Sequence, residues 1–275
     1  MQEYARGIAG GLLFSLPILY TMEVWWAGFI MRPLHLVLYM LATFLLLLGY
    51  NRFAGVHEGT SWKEVIVESV EEIGLGMLLS CAALWILGRI NFSTMAPSEI
   101  VGKVIIESMT VAIGVSIGTA QLGAEEEEGQ ENRKTDKEIP DTTTAWGVFQ
   151  QATLSLCGAV VIAGNIAPTE EIQLISYGTS PIKQLIIVLF SLFLGVLILF
   201  LSNFRGGRKP DSKGLWFTVI VEVGLAYLAA VSASAFMLWF FGHVDGIGWN
   251  MFLAQVIVLG LPAMLGASAG RLLIR

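Results

Sequence analysis

The chain has 275 residues, of which 55% are hydrophobic and 14% are charged, and its formal net charge is −6. This composition lies outside the range of soluble globular domains and indicates an integral membrane protein. The negative charge, together with the absence of a basic stripe with interleaved aromatic residues, argues against a nucleic-acid partner, and we expect none.

Long apolar runs predict an all-α, polytopic membrane protein. Only helices and closed barrels satisfy the backbone in lipid, and barrel strands are only about 10 residues long. A helix of about 20 residues crosses the hydrocarbon core, which is ~30 Å thick. The sequence predicts about eight such spans, at residues 7–31, 33–50, 63–90, 99–122, 145–166, 181–203, 215–242 and 249–272.

The basic residues predict the topology of these spans. Eight spans place 12 of the 16 lysine and arginine residues on the side of the N-terminus. Short basic loops stay in the cytoplasm, so we expect both termini to be cytoplasmic. Pro17 and Pro262 lie within runs and predict kinks there.

An internal repeat is visible in the third and seventh runs. Residues 62–68 read Trp-Lys-Glu-Val-Ile-Val-Glu and residues 216–222 read Trp-Phe-Thr-Val-Ile-Val-Glu, at an offset of 154 residues. Four spans return the chain to its starting side of the membrane. The pattern therefore predicts two parallel four-helix repeats, related by an axis along the membrane normal.

A polar segment separates the two halves. Residues 125–140 are dense in charge and contain little that could form a core, which is typical of a disordered linker. We therefore expect a first membrane repeat over residues 1–122, an acidic cytoplasmic linker over residues 123–144 and a second membrane repeat over residues 145–275.

Glutamates within the apolar runs are the candidate functional residues. Ionisable side chains are costly inside a bilayer and usually face a bundle interior or a water-filled cavity. Glu68, Glu71 and Glu72 share the third run, and their spacing places Glu68 near both of the others. Either some of the three are protonated, or a cation or basic side chain compensates them. The rise per residue predicts that Glu107, entering from the opposite side, reaches a level similar to that of Glu72.

The acids of the two halves could form one site. A ring of Glu68, Glu72, Glu107 and Glu222 would offer hard oxygen ligands to a small cation, or would relay protons. The alternative is that Glu107 pairs with Lys103, that Glu68 lies among the headgroups, and that the remaining acids cap helices or bond to nearby serines.

Two G-x-S-x-G patterns lie in the fourth and eighth runs, and they consist of Gly114, Ser116, Gly118, Gly266, Ser268 and Gly270. Hydrolase nucleophile elbows share this pattern, but an elbow follows a strand and needs a histidine nearby. Within an apolar helix, the glycine spacing favours close packing of helices. We therefore expect no enzyme activity.

Glu23 lies toward the outer end of the first run and is either part of an external mouth or an interfacial acid that reaches outward. We expect no cofactor other than a bound cation. The lipid bilayer is the expected environment of the protein, and whether it forms a homo-oligomer stays open.

Three features carry a family resemblance: the segments Gly7-Ile-Ala-Gly-Gly11 and Met22-Glu-Val-Trp-Trp26, and the acids that follow Trp62 and Trp216. The chain resembles an uncharacterised family of bacterial integral membrane proteins that is frequent in cyanobacteria. The resemblance covers nearly the whole chain. It implies a location in the bacterial inner (plasma) membrane, and the family has no established activity. The Glu-x-Gly-Asp core of calcium/proton exchangers is absent from the sequence.

The sequence thus predicts a cation-conducting membrane protein, either a channel or a proton-coupled carrier. Glu72, Glu222 and Glu107 would bind the ion, and hard oxygen ligands favour protons, sodium or calcium over soft metals. The alternative is a membrane scaffold or signalling module whose buried acids only specify helix packing.

Overall fold

A computed structural model describes residues 2–54, 61–127, 145–205 and 215–272. All of the regular secondary structure within these ranges is helical, which confirms the all-α part of the prediction. The helices are α1 (Gln2–Leu19), α2 (Met22–Ile30), α3 (Pro33–Ala54), α4 (Trp62–Ile86), α5 (Pro97–Glu127), α6 (Ala145–Ile166), α7 (Glu171–Tyr177), α8 (Pro181–Arg205), α9 (Leu215–Phe240) and α10 (Trp249–Leu272).

Six helices in the described part of the chain are long and apolar enough to cross a membrane, as judged by length and composition. These candidate spans are Pro33–Ala54, Pro97–Ala120, Ala145–Ile166, Pro181–Phe200, Val219–Phe240 and Trp249–Gly270. The predicted count of eight is therefore not met by this criterion. The two predicted spans that are not among the six correspond to α1 with α2, and to α4.

The predicted first span, residues 7–31, is divided into two helices. Pro17 has no amide hydrogen to donate and lies in the last turn of α1. Thr21 then closes the helix end, because its hydroxyl donates to the carbonyl of Pro17 at 2.8 Å and its amide donates to Ile18 at 3.0 Å. The predicted kink at Pro17 is thus a helix end, whereas α10 continues through Pro262.

The chain divides into two compact units, Met1–Lys134 and Thr135–Arg275. We call them unit 1, with α1–α5, and unit 2, with α6–α10. The boundary lies inside the predicted linker at residues 123–144. The start of that segment is helical because α5 extends to Glu127, and residues 128–144 lie outside the described part of the chain.

In unit 1, the helix at the centre is α5, which packs against α1, α2, α3 and α4. Of its span, 83% is buried, compared with 28% for the span of α3. Glycine permits the closest approaches. A Cβ atom at Gly10 of α1 would lie 2.5 Å from the Cα of Gly118, and one at Gly76 of α4 would lie 2.9 Å from the Cβ of Ala112.

In unit 2, the central helix is α10, which packs against α6, α7, α8 and α9. Its span is 61% buried, whereas the span of α8 is 17% buried. The spans of α3 and α8 are therefore the least buried of the six. This agrees with their apolar sequences, which leave most of each helix surface suited to lipid.

Local sequence fixes both ends of α4, the helix that carries three of the six candidate acids. Ser61 and Glu64 form a capping box at the first turn, where the Ser61 side chain accepts from the amide of Lys63 at 3.3 Å and the Ser61 amide donates to Glu64 at 3.0 Å. Beyond the last turn, Gly88 has a φ of +68°, a conformation that favours glycine. The chain therefore leaves α4 at a defined point, and this sets the register of its buried face.

Candidate functional site

The buried face of α4 separates the three glutamates of the third predicted span. Buried residues recur along α4 at helical spacing, and the face consists of Val65, Ser69, Glu72, Gly76, Ser80 and Leu84. Glu72 is 7% exposed, Glu68 is half-buried and Glu71 is exposed. Helical periodicity thus places only Glu72 inside the unit.

Glu72 belongs to a hydrogen-bonded cluster that joins α3, α4 and α5. The side-chain amide of Asn51 donates to Glu72 Oε2 at 2.6 Å and lies 3.2 Å from the Oγ of Ser69. The hydroxyl of Ser116 donates to Asn51 Oδ1 at 2.6 Å. We call Asn51, Ser69, Glu72 and Ser116 the Glu72 cluster.

The proton positions in the Glu72 cluster follow from its donors. Ser69 donates its own hydroxyl to the carbonyl of Val65 at 2.8 Å, so its oxygen can only accept from Asn51. Asn51 lies on the buried stripe of α3, where it is 3% exposed. All four members are buried, and the only acid among them is Glu72.

Sequence reasoning did not assign Asn51 or Ser69 to the site. The available signal was that Asn51 is a polar residue at the end of the second apolar run. Its partners Ser69 and Glu72, however, are 18 and 21 residues away in the chain. Ser116 was predicted to act in helix packing, and it is also the α5 member of the Glu72 cluster.

Glu107 of α5 is fully buried, and neither of its carboxyl oxygens has a hydrogen-bond partner among the residues that the structure describes. The alternative pairing with Lys103 is wrong, because the Nζ of Lys103 lies 2.8 Å from Glu99 and donates to the carbonyl of Arg89 at 3.3 Å. Tyr39 of α3 lies close to Glu107.

Glu107 and Glu72 lie at different levels of unit 1. Ser116 is the α5 residue that joins the Glu72 cluster, and Glu107 precedes it by nine positions. At 1.5 Å per residue this separation is about 13 Å along α5. The structure therefore does not bring Glu107 to the level of Glu72 as expected, because the register between α4 and α5 is set by the contact of Gly76 with Ala112.

Glu222 lies in unit 2 on α9 and is 6% exposed. The offset of 154 residues pairs it with Glu68, whereas the position that corresponds to Glu72 is Ala226. Ala226 is fully buried. A site shared by Glu72 and Glu222 stays a prediction.

Glu23 lies in the first turn of α2 and is partly exposed. Nearby, the indole of Trp25 donates to the carbonyl of Leu19 at 3.1 Å, and the guanidinium group of Arg89 lies 4.7 Å from the Trp25 ring. The role of Glu23 at an external mouth stays a prediction.

The two G-x-S-x-G patterns lie at close helix contacts within each unit. Gly114 and Gly118 of α5 contact Gly10 of α1, and Gly266 and Gly270 of α10 contact Gly158 of α6. These positions leave no room for a Cβ atom. The remaining serine, Ser268, is fully buried and its hydroxyl has no hydrogen-bond partner among the described residues.

No three histidine, cysteine, aspartate or glutamate side chains among the described residues are grouped so that they could hold a metal ion. The carboxyl group of Glu72 has the amide of Asn51 and the hydroxyl of Ser116 as hydrogen-bonding neighbours, and Glu68 and Glu71 of the same helix also lie near it. Ca²⁺ takes 6–8 oxygen ligands and commonly several carboxylates. The cluster therefore supplies one carboxylate, fewer than a calcium site commonly uses.

A family described as "Putative integral membrane protein (DUF2391)" matches residues 3–274. The chain belongs to this family. The description agrees with the six apolar helices, so the protein is an integral membrane protein in contact with lipid. The resemblance that the sequence suggested is confirmed. No curated protein and no solved structure matches the chain.

Proposed function

We propose that this protein moves protons, or other small cations, across the bacterial inner membrane, and that Glu72 is the group that binds them. The observation that carries the proposal is the burial of Glu72 in a hydrogen-bonded cluster. Ionisable groups at membrane depth are costly and commonly mark ion or proton pathways. Glu72 combines such a position with partners that can stabilise it in both protonation states.

A proton is the cation that the chemistry of the site favours most. Asn51 offers an N–H group to the ionised carboxylate, while the second oxygen of the carboxyl group can carry a proton. Ser116, which is within hydrogen-bonding reach of both Asn51 and Glu72, can direct its single proton to either. Loss and gain of one proton at Glu72 therefore require only hydroxyl rotation and small side-chain movements. Sodium and calcium would need further oxygen ligands.

We further propose that the two units are parallel repeats and that the chain crosses the membrane eight times. Within the described ranges, eight helices have at least 18 residues, and these are α1, α3, α4, α5, α6, α8, α9 and α10. The helix ends support the duplication. Gly88 and Gly242 both have positive φ, and the amides that follow them donate to Leu84 and Leu238, respectively, in the same arrangement. An even number of crossings, with basic loops inside, places both termini in the cytoplasm.

The test is a flux measurement in proteoliposomes that contain a pH-sensitive dye. A potassium gradient with valinomycin supplies the driving potential, and sodium and calcium uptake are measured in parallel. We expect Glu72→Gln to abolish the flux of the wild-type protein, because glutamine keeps the hydrogen-bond acceptor for Asn51 but cannot release a proton. Glu71→Gln is the matched control, since its side chain is exposed on the same helix. Absent wild-type flux, or equal flux in both variants, would refute the proposal.

A second candidate is a membrane scaffold or signalling module in which the buried acid only specifies helix packing. The hydrogen bonds of the Glu72 cluster favour this second function, because they connect the three helices α3, α4 and α5. Such bonds join helices in other membrane bundles. The scaffold or signalling function predicts that Glu72→Gln leaves the fold and that function intact, because the variant preserves the hydrogen bond from Asn51.

A further inference from the structure

The second buried acid of unit 1 differs from Glu72 in its surroundings. Glu107 is fully buried, and within the described part of the chain both of its carboxyl oxygens lack hydrogen-bond partners. Such groups are rare in folded proteins, and each calls for an explanation such as an ordered water, an ion or a catalytic role. Glu107 is also too far along α5 to share the hydrogen bonds of the Glu72 cluster.

The hydroxyl groups close to Glu107 in sequence are committed to backbone carbonyls. Ser108 donates to Ile105 at 2.7 Å, and Thr110 donates to the carbonyl of Glu107 itself at 3.2 Å. On α3, Thr43 donates to the carbonyl of Tyr39 at 2.9 Å. None of these three hydroxyl protons is therefore directed at the Glu107 carboxyl group.

The charged and titratable neighbours of Glu107 among the described residues do not compensate its charge either. Lys103, one turn earlier on α5, is held by Glu99. On α3, Tyr39 lies close to Glu107, and its phenol cannot supply a positive charge. The acids of α4 lie toward the other end of the unit, since Glu72 is at the level of Ser116. A carboxylate here would be a buried charge without a counter-ion, which is far more costly than a buried neutral acid.

One further buried hydroxyl lies at the same end of unit 1. Ser80 is one turn beyond Gly76 on α4, it is fully buried, and its hydroxyl meets no hydrogen-bond partner in residues 2–54, 61–127, 145–205 and 215–272. Because Gly76 contacts Ala112 and the two helices run in opposite directions, Ser80 lies near the level of Ser108. A carboxyl group and a spare hydroxyl are thus placed at one level of the interior, among mostly apolar residues.

We propose that Glu107 is a second proton-binding site, separate from Glu72, in which a neutral carboxyl group binds and releases one proton without a metal ion. The role of Glu107 in transport rests on the proposed function, in which Glu72 and Glu107 would bind the proton one after the other along a path parallel to α5. The separation of about 13 Å from Ser116 far exceeds one hydrogen bond, so transfer between the two acids requires a chain of water molecules. The spare hydroxyl of Ser80 would be one anchor for such water.

Infrared difference spectroscopy of the protein in lipid tests the site independently of transport. A protonated carboxyl group gives a C=O stretching band above the amide I band, and the band lies higher when the carbonyl accepts no hydrogen bond. We expect a high-frequency band at neutral pH that disappears in Glu107→Gln and in Glu107→Leu, and that is unchanged in Glu71→Gln. Isotope exchange in D₂O should shift the same band, because the proton is exchangeable.

The outcomes separate the inference from the proposed function. A band that survives in both Glu107 variants, or no protonated carboxyl band in the wild-type protein, would overturn the assignment. Glu107→Leu covers the case in which the glutamine variant fails to fold, since leucine leaves no unpaired polar group. If the Glu107 band is present while wild-type proteoliposomes conduct neither protons nor cations, the proton-binding site stands and the transport role fails.

Discussion

The Glu72 cluster predicts a measurable effect of Asn51→Leu on stability. Leucine keeps the branching at Cγ but removes both the amide donor and the carbonyl acceptor. Three hydrogen bonds are lost, namely those that join Asn51 to Glu72, to Ser69 and to Ser116. At about 0.6 kcal/mol per hydrogen bond between membrane helices, the loss is about 2 kcal/mol.

The polar groups that lose their hydrogen bonds to Asn51 add to this cost. Glu72 and Ser116 stay buried after the substitution, and a buried polar group left without its partner costs about 1–3 kcal/mol. Some of this cost is relieved because Ser116 can turn its hydroxyl toward Glu72. We therefore expect Asn51→Leu to lower the free energy of unfolding by about 2–4 kcal/mol.

The assay is unfolding in mixed micelles titrated with a denaturing detergent and followed by circular dichroism. Thr153→Val is the control, because it removes an exposed hydrogen bond within one helix and should cost no more than about 0.5 kcal/mol. Glu72→Gln should also cost little, since the amide oxygen still accepts from Asn51. If Asn51→Leu were no more destabilising than Thr153→Val, the hydrogen-bonded cluster would be refuted.

Two further predictions concern packing and pH. Gly10→Ala should lower the free energy of unfolding by about 1–3 kcal/mol, because the added Cβ atom would overlap Gly118. Gly74→Ala is the control and should be neutral or slightly stabilising, since a Cβ atom at Gly74 meets nothing within 4 Å. Equal effects of the two variants in detergent unfolding would contradict the contact between Gly10 and Gly118. His243, in the loop between α9 and α10, lies 2.7 Å from the side-chain nitrogen of Gln173, and burial lowers the pKa of its imidazole. The unfolded chain then binds a proton first as the pH falls, so the contribution of His243 to stability is complete above about pH 6.5 and declines below it. Melting curves at pH 7.5 and pH 5 should show this decline, and a decline of the same size in His243→Gln would assign it to other groups.

Much of the fold could be predicted from the sequence because it depends on local properties. Apolar runs of about 20 residues specify membrane helices whatever their neighbours are, since the backbone must satisfy its own hydrogen bonds in lipid. The same reasoning singled out Glu72 and Glu107 as costly residues inside such runs. The glycine pairs at Gly114 and Gly266 were recognisable because helical spacing alone puts small residues on one face.

Only the tertiary structure decided which of these residues meet. Asn51 and Ser116 contact each other although 65 residues separate them, and no periodicity within one helix encodes that distance. Lys103 had two acids within one turn, and its pairing with Glu99 depends on how the end of α5 packs. The level of Glu107 depends on the register between α4 and α5, which is set by the approach of Gly76 to Ala112. Composition and spacing thus determine which side chains enter the membrane, whereas packing between helices determines their partners.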